Sequence, residues 1–267
     1  MAGFYTLLYK ELLRFWKVGL QSVFAPMLAT LLYLLIFSHV LEEHVQAYPD
    51  LAYTVFLIPG LVMMAVLQNA FANSASSLIQ SKGSGSIVFV LLLLLFYMDI
   101  FLAYVLASVV RGLLVGMGVY LAALIFFEVP LRSLFWVFLF ALIGNGLLRE
   151  LGIIAAIWAE KFDQLAAFQN FVILPLAFLS DVFYTIHSLP PFWENLSHFN
   201  PFFYVIDGFC YGFFGVSDIS PYVSLAIVVA CFLVVSWMTL YMAQDRLQAS
   251  PIKFLLFVNR YKENEIR

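Results

Sequence analysis

The apolar residues of this chain fall into about six blocks, each long enough to cross a bilayer and divided from the next by a short polar break. A hydrocarbon core about 30 Å thick takes roughly 20 residues of helix per crossing. The blocks therefore predict an all-α polytopic membrane protein with six transmembrane helices. Composition agrees, because 64% hydrophobic and only 11% charged residues leave too little polar surface to cover a soluble globule. The formal net charge of −3 says little about partners, since in a membrane protein the position of each charge matters more than the sum. No nucleic-acid partner is expected. Cys210 and Cys231 lie in different apolar stretches, offer neither a disulfide framework nor metal spacing, and read as small buried hydrophobes. The first apolar block follows Lys10, Glu11, Arg14 and Lys17 and lacks a small-x-small cleavage site, so it reads as retained rather than as a cleaved signal.

Residues 4–17 place Lys10, Arg14 and Lys17 on one helical face and Tyr5, Leu8, Leu12 and Phe15 on the other, which predicts an N-terminal interfacial helix. Spans are expected at about 20–40, 53–71, 101–127, 134–158, 168–185 and 224–242, in a transmembrane domain of residues 1–246 with a cytoplasmic tail, 247–267. Pro26 lies near the start of the first span, where a missing N–H does least harm. Pro59-Gly60 interrupts the second and Pro175 the fifth, which a membrane tolerates only where neighbouring helices satisfy the freed backbone. Residues 73–86, rich in Ser, Gly and Asn, read as a loop. Residues 88–95 fit an amphipathic turn, a re-entrant segment or part of the third span, with a short interfacial helix preferred. Residues 187–221 are too apolar for an ordinary loop and too broken by Pro190, Pro191, Asn200 and Pro201 for one helix. An outer re-entrant helical segment before the last span is the expectation.

Charge sets the orientation. With both termini cytoplasmic, Lys10, Arg14, Lys17, Lys82, Lys161, Arg246, Lys253, Arg260, Lys262 and Arg267 all lie inside and only Arg132 is clearly outside. Glu42, Glu43, Glu128, Glu194 and Asp218 then fall on the outer side.

The sequence holds no Gly-x-x-x-x-Gly-Lys-Ser/Thr run, and Lys82 precedes rather than follows Gly83-Ser84-Gly85-Ser86. A transport subunit without its own ATPase site is therefore expected, not an enzyme. Glu194 and His198 stand at i, i+4, but two ligands without a third favour an interfacial polar pair over a metal site. Ionisable residues at membrane depth are functional suspects because each is costly there. Arg111 either snorkels toward the cytoplasmic face or serves a pathway; Arg149 and Glu150 form an internal ion pair or line a path; Asp181, near the end of its span, is expected to face the outer water. The aromatic stretch from Phe192-Trp193 to Tyr211-Gly212-Phe213-Phe214 fits both an interfacial belt and a lid over a cavity.

The order of these features resembles the transmembrane subunit of type-2 ABC exporters, the ABC-2 permease family. Ile58-Pro59-Gly60-Leu61 with Met63-Met64, Asn69-Ala70-Phe71 and Ala75-Ser76-Ser77 resembles that family's second span and its exit, and Phe101-Leu102-Ala103-Tyr104 with Arg111-Gly112 the start of the third. Phe162-Asp163 and residues 171–175 resemble the loop and fifth span. Val182-Phe183-Tyr184, Leu189-Pro190-Pro191-Phe192-Trp193, Asn200-Pro201, Tyr204, Gly208 and Tyr211-Gly212 resemble the outer segment most specifically. The resemblance implies a permease in the bacterial inner membrane that pairs with a second copy, as a homodimer, and with a separate ABC nucleotide-binding subunit. ATP and Mg would sit on that partner, and no cofactor on this chain. It implies a cytoplasmic coupling helix at about 81–96, with Lys82, Gly83, Glu160, Lys161 and Asp163 as ATPase-coupling residues. It implies a pathway or outer gate at Arg111, Pro190, Pro191, Phe192, Trp193, Asn200, Pro201, Tyr204 and Tyr211. The chain departs from the family pattern at residues 90–95, which carry neither proline nor charge, and at Asp181, Cys210 and Arg149-Glu150. The aromatic lid points to an amphipathic cargo such as a lipid-linked saccharide, lipid or drug, with membrane lipids around the chain. The alternatives are a membrane-embedded lipid-modifying enzyme using Glu194, His198 and Asp207, or an uncoupled scaffold subunit.

Overall fold

Pro59 and Gly60, which break the second apolar block, lie inside a helix that is the most buried of the candidate spans. The structure, a computed structural model, describes residues 2–40, 52–83 and 97–242, and its regular elements among them are all helical. This central helix, α2 (Tyr53–Gly83), packs most extensively against α4 (Leu134–Trp158) and also against α3 (Tyr97–Leu124) and α1 (Ala2–Val40). Leu57, Ile58, Met63 and Leu67 are fully enclosed. Gly60 is required by a close approach: a Cβ there would stand 3.1 Å from the Val182 Cα and 3.2 Å from its carbonyl oxygen. Small residues bring other helices together in the same way, with Gly208 lying against the Phe140 ring.

Residues 73–83 correct the expectation of a loop, because α2 continues through them to Gly83. Their serines return their hydroxyls to the helix's own carbonyls: Ser74 Oγ donates to Ala70 O (2.9 Å) and Ser81 Oγ to Ser77 O (2.9 Å). Ala75, Ser77 and Ile79 are buried meanwhile. A composition that reads as a loop in water is thus self-satisfied on a packed helix. From residue 84 to 96, the coupling helix expected over 81–96 lies outside the described residues.

α1 is likewise one uninterrupted helix, so the expected interfacial helix and first span are continuous and Pro26 is interior rather than near an end. Between Lys17 and Leu20 only Gly19 weakens the helix, at a cost of about 1 kcal/mol, too little to break it. α4 keeps the expected bounds of 134–158. α5 (Phe162–Phe178) starts and ends earlier than the expected 168–185 and contains a π turn, Gln169–Ile173. Pro175 crowds the carbonyl four residues back, that of Phe171, and the wider π turn there relieves it.

After α5 the chain turns through Asp181 at φ 58°, then a 3-10 turn at Ile186–Ser188. Asp181 is only 2% exposed, which corrects the expectation that it faces water; Val182 and Ser180 beside it are fully buried. Two short helices follow, α6 (Pro191–His198) and α7 (Pro201–Phe214), each with proline at its first position, where the missing N–H is harmless. Gly215 ends α7 in the left-handed conformation, φ 72°, that favours glycine. The last helix is α8 (Pro221–Met242). Among the described residues, α2, residues Leu106–Leu124 of α3, α4 and α8 are long and apolar enough to cross a membrane. Gln21–Phe37 of α1 and α5 are shorter apolar helices.

Candidate functional site

The second helix carries Asn69 and Asn73 one turn apart, so both amides face the same neighbour. That neighbour is Arg111 of α3. Its Nε donates to Asn69 Oδ1 (3.0 Å), its Nη1 to Asn73 Oδ1, and its Nη2 to Ser22 Oγ of α1 (2.9 Å). Asn69 Nδ2 in turn donates to the Ser22 carbonyl at 3.1 Å. The guanidinium is thereby held between three helices instead of snorkelling along one. It borders a cleft of about 710 Å³ walled by α1, α2 and α5, with Gln21, Gln68, Ser76 and Gln169 among the lining residues. Sequence reasoning singled out Arg111 but missed Ser22; the i, i+4 asparagines were the available signal.

Lys82 is held by backbone carbonyls. Its Nζ donates to the carbonyls of Ala156 (2.6 Å), Ile157 (2.9 Å) and Ala159 (3.4 Å), at the C-terminal end of α4. A cation there satisfies orphan carbonyls and opposes the negative end of the helix dipole. Lys82 therefore ties the end of α2 to the end of α4, and its charge is engaged within the bundle. Gly83, Glu160, Lys161 and Asp163 are exposed around this joint. Gln164 Oε1 accepts from the Glu160 N–H at 2.7 Å and fixes the turn into α5. Lys82→Met should lower thermal stability by about 1–2 kcal/mol, a charge-assisted bond's worth. Thermal unfolding followed by size-exclusion retention in detergent checks this; an unchanged midpoint would show the cap to be dispensable.

The outer segment is held by Asn200. Its Oδ1 accepts from Phe202 N (3.1 Å), capping α7, while its Nδ2 donates to Leu176 O (2.7 Å), Leu179 O (3.2 Å) and Ser180 Oγ (2.8 Å) at the end of α5. Tyr204 Oη donates to the His198 carbonyl (2.9 Å) and locks α6 to α7. Tyr211 and Tyr222 both meet the Trp136 ring edge-on, at 5.9 and 5.2 Å between centroids. Phe192 is 71% and Trp193 47% exposed, so these two rings point away from the bundle. Pro190, Pro191 and Pro201 set where the two helices begin. The predicted gate residues thus gather on α6 and α7, whereas Arg111 of α3 borders the cleft of α1, α2 and α5.

Two further groups bear on the alternatives. Arg149 Nη1 and Glu150 Oε1 form an ion pair at 3.0 Å, with side chains 4% and 0% exposed. Asp207 is 1% exposed; its Oδ1 accepts from Asp218 N (2.8 Å) and its Oδ2 from Ser224 Oγ (3.4 Å). His198 packs edge-on against Phe203, 5.9 Å between ring centroids. Asp207 is thus committed to the turn into α8, away from an acid–base role with His198. Among the described residues no cluster of three metal-ligating side chains occurs.

Comparison with known proteins agrees with this architecture. The family model described as ABC-2 type transporter matches residues 2–214. The inner membrane transport permease YadH of Escherichia coli K12 is 36% identical over 234 residues, spanning 85% of this chain and 90% of that protein. The proteins of the same name from Escherichia coli O157:H7 and Shigella flexneri match with the same identity and coverage.

Proposed function

Given that this chain belongs to the ABC-2 type transporter family, we propose that it is the permease half of an ATP-driven exporter for an amphipathic substrate. In this reading it lies in the inner membrane, as its relatives' name says of them, with both termini cytoplasmic and two copies side by side. α1 and α5 act as the remaining two of six spans, and α6 with α7 forms a re-entrant pair closing the path on the outer side. A separate nucleotide-binding subunit holds ATP and Mg and docks where Glu160, Lys161 and Asp163 are exposed. The observation that carries the reading is the cleft of α1, α2 and α5, polar around Arg111 and set in a largely apolar bundle. An ionisable group at membrane depth is expensive, and a substrate path is the usual reason for keeping one. Nucleotide binding on the partner would bias the permease between inward and outward access. A cargo whose affinity differs between those states is then moved.

Coexpression with candidate ABC nucleotide-binding subunits, followed by purification through the permease, tests the proposal. The wild-type chain should retain one such subunit, and Lys161→Glu combined with Asp163→Lys should release it without changing the permease's unfolding midpoint. These exposed positions are chosen over Lys82, whose loss would unseat α4. If no nucleotide-binding subunit stays with a folded permease, the exporter reading is wrong and the scaffold reading takes its place.

A further inference from the structure

Asp181 is buried in the turn between α5 and α6, and its Oδ1 has no hydrogen-bond partner among the described residues. That turn is clamped from three helices. Gly60 of α2 lies against the Val182 backbone, and Tyr53 Oη of α2 donates to the Phe183 carbonyl at 2.7 Å. Tyr33 and Phe37 of α1 pack on the Phe183 ring, and Asn200 at the start of α7 donates to Ser180 Oγ. From α7 and the turn into α8 come two more carboxyl groups, Asp207 and Asp218, near enough for their charges to act on Asp181. Cys210 of α7 and Tyr184 of the turn itself are the other titratable groups within its reach. Asp207 accepts from the Asp218 N–H and the Ser224 hydroxyl, and Asp218 Oδ2 accepts from the Ile186 N–H at 2.8 Å. Such donors favour the ionised form of both. Asp181 Oδ1 has none. A buried carboxylate beside like charges and without donors takes up a proton rather than bear the cost of desolvation.

From this geometry we infer that the closed outer turn binds one proton, carried by Asp181, and that opening the turn to water releases it. Burial, and after it the charges of Asp218 and Asp207, hold the Asp181 carboxyl well above the usual carboxylate range. A carboxyl raised in the closed form stabilises closure at low pH, and that contribution is lost as pH rises through the raised value. Acid on the side that the turn faces therefore favours closure. The proton links the end of α5 to the pair α6 and α7, because the same turn carries Asp181 and leads into α6. That this side is the outer one rests on the exporter reading; the proton on Asp181 does not.

Limited proteolysis of the detergent-purified chain over a pH series, normalised at each pH to cleavage of an unstructured peptide in the same tube, tests the inference without any ATPase. Cleavage between α5 and α7 should climb with pH by up to about tenfold per unit, the slope of one proton, and then level off. Asp181→Asn imitates the protonated acid, and asparagine tolerates the positive φ, so its profile should be flat and low. Infrared difference spectra of the wild type give a second reading: the carbonyl stretch of an un-ionised carboxylic acid should fade over the same pH interval. Asp207→Asn keeps an acceptor for the Asp218 N–H and removes one repelling charge, so its step should persist at lower pH. A step that survives Asp181→Asn and vanishes in Asp207→Asn puts the proton on Asp207 and overturns the assignment. Protection at high pH by sodium or calcium ions, equal to that given by acid, would show a metal ion in place of the proton. A flat wild-type profile overturns the proposal and leaves the exporter reading intact.

Discussion

Arg149→Met should destabilise the chain by about 3–5 kcal/mol, the largest single effect expected, because it strands the Glu150 carboxylate in the bundle. The two side chains are adjacent in sequence, and neighbours at i, i+1 do not ordinarily face each other on a helix. They meet at 3.0 Å because the arginine is long enough to fold back. Glu150 is fully enclosed, so no water replaces the lost cation. The double variant Arg149→Met with Glu150→Leu removes both charges and should recover most of the loss, since a buried pair is often no better than apolar residues of similar volume. Unfolding midpoints of the wild type and the two variants in one detergent check this. A double variant as unstable as the single one would mean that Arg149 acts through partners other than Glu150.

Asn200→Leu should cost on the order of 3 kcal/mol by leaving two buried groups unmatched at once. The groups are the Leu179 carbonyl and the Phe202 N–H, while the Leu176 carbonyl keeps the Ser180 hydroxyl. Asn200 is 2% exposed, so solvent does not compensate. Asn200→Ser keeps a cap acceptor for α7 and loses the reach to α5, so it should fall between leucine and the wild type. Limited proteolysis of the outer segment gives an independent reading: cleavage between α5 and α7 should rise with Asn200→Leu. Unchanged cleavage and stability would show that α7 is held by packing alone.

These two sites also show what the sequence reveals and what it hides. Leu134–Trp158 is legible because a turn at Pro130 and Arg132 precedes it and a polar break follows, with mostly apolar residues between. The same logic fails at residues 73–83, where serines that would solvate a loop instead bond back to their own helix. The polar break itself hid the start of α5: Asp163 and Gln164 look like loop residues, yet an acidic residue in the first turn is an ordinary helix-start signal. Arg111 and Asn200 could be singled out by type and position. Their partners could not, since Ser22 is remote in sequence and the carbonyls that hold Asn200 and Lys82 are backbone, which no side-chain pattern encodes. Asp181 is misread for a related reason: being near the end of an apolar block says nothing about the turn that folds over it.

The most direct measurement is ATP hydrolysis by the nucleotide-binding subunit, purified with and without this permease in lipid nanodiscs. Hydrolysis should depend on the permease and lose that dependence when Lys161→Glu is combined with Asp163→Lys, the variant that releases the subunit. Hydrolysis indifferent to the presence of the permease would contradict the exporter reading.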